Sequence, residues 1–176
     1  GVMGKNLVLN LADNGYNIAV FDLSSEKIDE VIEQDIAELS ANAQSKTKQR
    51  VFGCSSYTQL LSRLKSPHLI VLSVPAGSPV DQVCENLIGA GIQPDDIVID
   101  TGNSLWVDTV QRETKYKANF ILFSSAVSGG EVGARFGPAL MPGGSPYAWS
   151  RIKPIWEAIA AKVDVETGKP LERSKP

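Results

Sequence analysis

A chain of 176 residues, 43% hydrophobic and 21% charged, with a formal net charge of −3, matches one ordinary α/β-sized domain. It is long enough to bury a core without disulfides or metal clips. The acidic balance excludes a broad positive field for nucleic acid or an anionic membrane. Cys54 and Cys84 are too few for a disulfide framework, and a single histidine, His68, leaves nothing from which to build a Cys/His metal site. With no apolar run of membrane-spanning length and no charged-then-apolar leader, the expectation is a soluble cytoplasmic protein without metal, membrane or nucleic-acid partners.

The chain opens on Gly1-Val2-Met3-Gly4, and Leu7, Val8 and Leu11 then recur at helical spacing over residues 5–14, with Gly15 placed as a helix stop. Residues 16–21 are β-rich and end on Asp22. Ser24 or Ser25 can cap the helix that follows, which carries Ile28, Val31, Ile32 and Ile36 on one side. Residues 40–50 are polar and predict a solvated surface loop before a short helix over 57–64. The apolar run 68–74 predicts a strand covered on both faces, stopped by Pro75-Ala76-Gly77. His68 begins that strand and reads as a strand-edge histidine. A helix over 80–88, a strand over 97–100, a helix over 106–117 and a strand over 120–126 come next. A glycine-rich stretch, 127–144, leads to a helix over 146–161 and a polar tail from 164 to 176. This alternation predicts a doubly wound α/β fold of Rossmann type, a mainly parallel sheet with helices on both faces.

Two glycines ahead of a helix, followed about 18 residues later by an acid at a strand end, form one half of a dinucleotide-binding fingerprint. Glycines let the backbone approach a pyrophosphate, and the free N–H groups of the helix start hold its charge. Asp22 would accept hydrogen bonds from ribose hydroxyls. The bland alternative is a helix-packing turn. Ligands of open α/β sheets lie beyond the carboxyl ends of the strands, which directs attention to Pro75-Ala76-Gly77, Thr101-Gly102-Asn103-Ser104 and Val127-Ser128-Gly129-Gly130-Glu131. Each is also readable as a tight strand-to-helix turn. Glu131 is either an acid near the site or a helix N-terminal carboxylate favoured by the dipole.

Three segments carry a closer resemblance. Gly-Val-Met-Gly-Lys-Asn-Leu-Val-Leu-Asn at 1–10, Ile-Asp-Thr-Gly-Asn at 99–103, and Val-Ser-Gly-Gly-Glu-Val-Gly-Ala-Arg-Phe-Gly-Pro-Ala-Leu-Met-Pro-Gly-Gly at 127–144 closely resemble the 6-phosphogluconate dehydrogenases. The 3-hydroxyisobutyrate dehydrogenase group shares the Gly-x-Met-Gly and Val-Ser-Gly-Gly elements but not the extended last run, and ranks second. A dinucleotide-binding module without catalysis is a third reading. The resemblance implies oxidative decarboxylation of 6-phosphogluconate to ribulose 5-phosphate, in the pentose phosphate pathway, with hydride transfer to NADP or NAD. It implies a cofactor site of Gly1, Val2, Met3, Gly4, Asp22, Leu23, Ser24, Val74, Pro75, Ala76 and Asn103. The implied substrate contacts, toward a phosphorylated sugar acid, are Asn103, Ser128, Gly129 and Gly130.

The sequence departs from the family pattern in places. NADP-using members carry an Arg after the second strand, where this chain reads Asp22-Leu23-Ser24, which argues for NAD; Lys27 is the nearest basic residue. Pro75 replaces a common Lys or Gln and removes a donor. The family's catalytic lysine, in a Lys-Met-x-His-Asn run, and its glutamate do not occur in the sequence, so no catalytic residue is expected in this chain, and this chain alone is expected to be inactive. The expected organisation is a dinucleotide-binding domain over 1–163, lacking its first strand, and a polar linker over 164–176 toward a helical domain. The resemblance also implies a homodimeric parent.

Overall fold

The computed structural model describes residues 1–41, 48–164, 166, 167, 169 and 171. Seven helices and six strands alternate among these residues: α1 (Val2–Asp13), β1 (Ile18–Val20), α2 (Ser25–Ala41), β2 (Val51–Gly53), α3 (Tyr57–Arg63), β3 (Leu69–Leu72), α4 (Ser78–Gly89), β4 (Ile97–Asp100), α5 (Trp106–Tyr116), β5 (Ile121–Ser128), α6 (Gly130–Phe136), β6 (Ala139–Gly143) and α7 (Pro146–Ile159). The strands fall into two sheets, β1-β2 and β3-β4-β5-β6. The pairs β1/β2, β3/β4 and β4/β5 are all parallel. Two compact units carry these elements, one made of Gly1–Ser55, Ser128–Ala139 and Glu157–Pro176, the other of Ser56–Val127 and Leu140–Trp156.

The first unit is built on α1. Leu9 and Ala12 are fully buried with Val31 and Val51, and Val8, Ile18, Val20 and Ile32 pack around them. Gly53 has no side chain because Ile28 Cγ2 lies 2.7 Å from where its Cβ would stand. A cluster of charged groups also lies in this unit. Arg135 donates to Asp13 and Glu38 at 2.5 Å each, and Arg50 reaches Asp35 at 2.5 Å, Asp13 at 3.3 Å and the Ala12 carbonyl at 3.0 Å. Two expectations fail here for one reason. Ile36 is 49% exposed while Asp35 beside it is 1% exposed, because the Arg50 guanidinium draws the carboxylate inward and turns that face of α2. Arg50, placed by the sequence in a solvated loop, has only 19% of its side chain exposed. Residues 42–47 of that loop lie outside the described residues, as do 165, 168, 170 and 172–176 of the expected tail.

The second unit centres on the four-stranded sheet. Ile70, Leu72, Val98 and Leu122 join Val80, Cys84 and Leu87 of α4, Tyr116 of α5, and Phe120 in one core. All four residues of β4 are buried, as expected of an inner parallel strand. His68, one residue before β3, donates its backbone N–H to Asp96 at 2.7 Å and places Nδ1 2.9 Å from the same carboxylate, which fits its reading as an edge residue. The Trp156 indole donates to Ser125 Oγ at 2.7 Å and so brings a polar group into the interior with a partner. The glycine-rich stretch after β5 contains more order than the sequence suggested, α6 and β6. The short β2 also went unpredicted.

Candidate functional site

In the first unit the fingerprint residues stand at the start of α1. Gly1 is the N-cap, no side chain caps the helix, and no acid occupies its first turn. The opening N–H groups of a twelve-residue helix are therefore left for an outside acceptor, which suits a phosphate. Asp22 lies two residues beyond β1, with Oδ2 3.3 Å from the Gly1 nitrogen and Oδ1 accepting the Ser24 N–H at 3.1 Å. Burial pushes its carboxyl upward, but the Ser24 N–H and the Lys27 charge act against this, and the carboxyl lies below the usual carboxylate range. Asp22 is thus an ionised acceptor beside the helix start. Leu23 is 92% exposed and offers nothing to a phosphate.

Ser128, Gly129 and Gly130 are exposed at the end of β5 and the start of α6. Gly129 has φ +126°, and a Cβ there would stand 3.0 Å from the Gly133 Cα, so the Gly-Gly-x-x-Gly spacing is a packing requirement. α6 is fastened to α1: the Asn10 side-chain amide donates to the Ala134 carbonyl at 3.0 Å and the Ile159 carbonyl at 3.2 Å, and Arg135 holds Asp13. The loop bearing Ser128 and the helix bearing Gly1 to Gly4 are thereby one framework within this unit. Glu131 stands exposed in the first turn of α6, where the dipole favours it.

The second unit brings together the other two loops. Thr101 Oγ1 donates to the Leu72 carbonyl at 2.6 Å, tying the end of β4 to the end of β3. The buried Asp100 carboxylate accepts the Gly102 N–H at 2.9 Å and Ser104 Oγ at 2.6 Å, which folds residues 101–104 into a tight turn. A Cβ on Gly102 would meet the Val74 carbonyl at 3.4 Å, so the loops carrying Val74 and Asn103 run side by side. Pro75, Ala76 and Asn103 are exposed on them, open to a ligand. Beneath Gly77, Arg112 donates to the Gly77 carbonyl at 3.0 Å and to Asp81 at 2.8 and 3.1 Å. Tyr116 donates to Asp81 at 3.1 Å, and burial pushes its phenol up to about 12. Sequence reasoning gave Arg112 and Asp81 no part. The signal was present: Arg112 and Tyr116 are four apart on a helix and both are buried, so a charged residue occupies a core-facing position.

In each unit the paired strands run parallel and lead at their carboxyl ends into glycine turns and polar acceptors, the pattern of the Rossmann-like α/β class. Residues 1–168 match the family model described as the NAD binding domain of 6-phosphogluconate dehydrogenase. The chain belongs to that family. It is 45% identical over 170 residues to the decarboxylating 6-phosphogluconate dehydrogenase of Mus musculus, covering 96% of this chain and 32% of the mouse protein. The chain thus spans about a third of the length of the curated relatives it matches. Plasmodium falciparum 6-phosphogluconate dehydrogenase, solved as apo enzyme, with NADP+ and with 6-phosphogluconate, superposes with TM-score 0.82 at 32% identity, over 97% of this chain and 34% of that one. Mycobacterium tuberculosis 3-hydroxyisobutyrate dehydrogenase superposes with TM-score 0.71 at 20% identity, over 91% of this chain and 49% of that one, a likeness of fold alone.

Proposed function

We propose that this chain is the dinucleotide-binding part of an enzyme that oxidatively decarboxylates 6-phosphogluconate to ribulose 5-phosphate, with NAD taken in preference to NADP. The observation that carries the reaction is the 45% identity to a decarboxylating 6-phosphogluconate dehydrogenase across 96% of the chain. Nicotinamide held here would supply the acceptor for the hydride removed from the sugar acid. The chain's own residues bind and orient. The start of α1 at Gly1 to Gly4 meets the pyrophosphate, Asp22 and Ser24 the adenosine ribose, and Val74, Pro75 and Ala76 the adenosine side. Asn103, able to donate and accept, serves both cofactor and substrate, and Ser128, Gly129 and Gly130 receive the sugar acid. Proton transfer falls to groups outside this sequence, in a helical domain following a linker over 164–176.

The NAD preference rests on Asp22. Its ionised carboxylate pairs well with two ribose hydroxyls and repels a 2′-phosphate, and Leu23 supplies no compensating cation. Cytoplasmic location and a homodimeric whole protein complete the reading. Among the described residues no helix is long and apolar enough to cross a membrane, and Cys54 and Cys84 are free, buried thiols. Calorimetric titration of NAD and of NADP into the full-length protein tests the cofactor part. Tighter binding of NAD is expected, and tenfold or greater preference for NADP would reject the role given to Asp22.

A further inference from the structure

The loop that would meet the adenosine moiety is held at both ends, and its second anchor is a buried arginine that offers the ligand nothing itself. At the entry, Thr101 donates twice to the Leu72 carbonyl, through Oγ1 at 2.6 Å and N–H at 3.1 Å. At the exit stands Gly77, with φ +93° and ψ −143°, a conformation open essentially to glycine alone. Its carbonyl is the N-cap acceptor of α4, taking the Val80 N–H at 3.1 Å, and it also accepts Arg112 Nη2 at 3.0 Å. The same guanidinium grips Asp81, one turn into α4, through Nε and Nη2. Tyr116 holds the other oxygen of Asp81, so α5 fixes both the carbonyl and the first turn.

Arg112 is an inefficient choice for stability alone. It is 6% exposed, and Nη1 is buried without an acceptor among the described residues, an unsatisfied donor in the interior. What it secures is geometry. A planar fork can bind a carboxylate and a backbone carbonyl together; an ammonium is a compact charge on a flexible stem and cannot match that geometry. Resting on the dinucleotide reading above, we propose that Arg112 is a positioning residue for the cofactor. Through the Gly77 carbonyl and Asp81 it sets the shape in which residues 74–76 receive adenosine.

The test is Arg112→Lys in the full-length protein, which keeps the charge and removes the fork. The expected result is a roughly tenfold rise in KM and in calorimetric Kd for NAD, with kcat and the sugar-acid KM within about twofold. In Arg112→Ala, added guanidinium ion should restore part of the lost NAD affinity by filling the vacated space. If the alanine variant does not fold, the lysine variant decides alone. A folded Arg112→Lys protein whose NAD KM stays within twofold of wild type overturns the positioning role. So does a fall in kcat with the NAD KM unmoved. Wild-type protein that binds neither NAD nor NADP removes the dinucleotide reading and this role with it, whereas binding by wild type and variant alike removes this role only.

Discussion

Replacing Arg135 by Met should strip the first unit of its central fastening. The Arg135 side chain is 7% exposed and makes two charged hydrogen bonds of 2.5 Å, to Asp13 at 19% exposure and to Glu38 at 29%. Methionine fills much of the space but takes the cation from Glu38 and leaves Asp13 only its 3.3 Å pair with Arg50. Breaking a buried pair from one side costs about 3–5 kcal/mol, most of it the penalty on the charges left behind. For a chain of this size that corresponds to a fall in Tm of roughly 6–20 °C. The control is Lys5→Met, which breaks the exposed Lys5–Glu30 pair at 3.9 Å and should cost less than about 0.5 kcal/mol. Urea unfolding and thermal melts followed by far-ultraviolet circular dichroism measure both. A loss below about 1 kcal/mol in Arg135→Met, comparable with the control, would refute the view that α6 is held to α1 by charge, and would leave Asn10 and apolar packing as the fastening.

Leu23→Arg alone should shift cofactor preference little, because Asp22 still opposes a 2′-phosphate. The double variant with Asp22→Asn should raise the NADP/NAD ratio of kcat/KM by roughly tenfold or more, measured by steady-state kinetics. The Arg112 guanidinium, ahead of the opposing effect of burial, holds the Asp81 carboxyl below its usual range. A group depressed in the folded state stabilises above its unfolded pKa of about 3.9 and loses that stabilisation as pH falls through its lower folded value. The Tm gap between wild type and Asp81→Asn should therefore be constant from about pH 7 to 5 and shrink below about pH 4; a gap that widens there contradicts the assignment. Gly129→Ala places a Cβ 3.0 Å from the Gly133 Cα at φ +126° and should raise the sugar-acid KM by roughly tenfold, since the turn bearing Ser128 must move. Cys84 is fully buried and desolvation pushes its thiol up to about 12, so iodoacetamide at pH 8 should leave it unmodified in the folded protein and label it in urea, as read by mass spectrometry.

The sequence was most informative where one local rule sufficed. The alternation of apolar runs with helical stripes located β3, α4, β4 and α5 within a few residues, because parallel strands buried on both faces leave a nearly continuous apolar signature. The glycine turns were legible for the same kind of reason. Gly129 and Gly77 occupy backbone conformations other residues avoid, so their presence beside a strand end marks a loop shaped for close approach. What escaped were interactions between distant residues. Arg50, Asp35, Asp13, Glu38 and Arg135 come from four separate stretches of chain, and nothing in the pattern of any one of them signals that their charges meet. The burial of Asp35 in place of Ile36 follows from that meeting and from nothing local. β2 and β6 were missed because their strand character comes from pairing with a neighbour, β2 carrying only three residues and β6 crossing a Pro-Gly pair. Exposed candidates such as Asn103 and Ser128 could be named from the glycine-bearing strand ends, while the buried Arg112 that donates to the Gly77 carbonyl required the structure.

What the full-length protein does with 6-phosphogluconate decides the proposed function. The decisive measurement is its steady-state rate with that substrate and with NAD and NADP in parallel, following reduced nicotinamide at 340 nm (a wavelength set by the cofactor) alongside released carbon dioxide. If the proposed function is right, the yields of reduced cofactor and carbon dioxide are equal, the product is ribulose 5-phosphate, and kcat/KM is higher with NAD. Turnover of 3-hydroxyisobutyrate but not 6-phosphogluconate, or dinucleotide binding with no turnover of either, would contradict it.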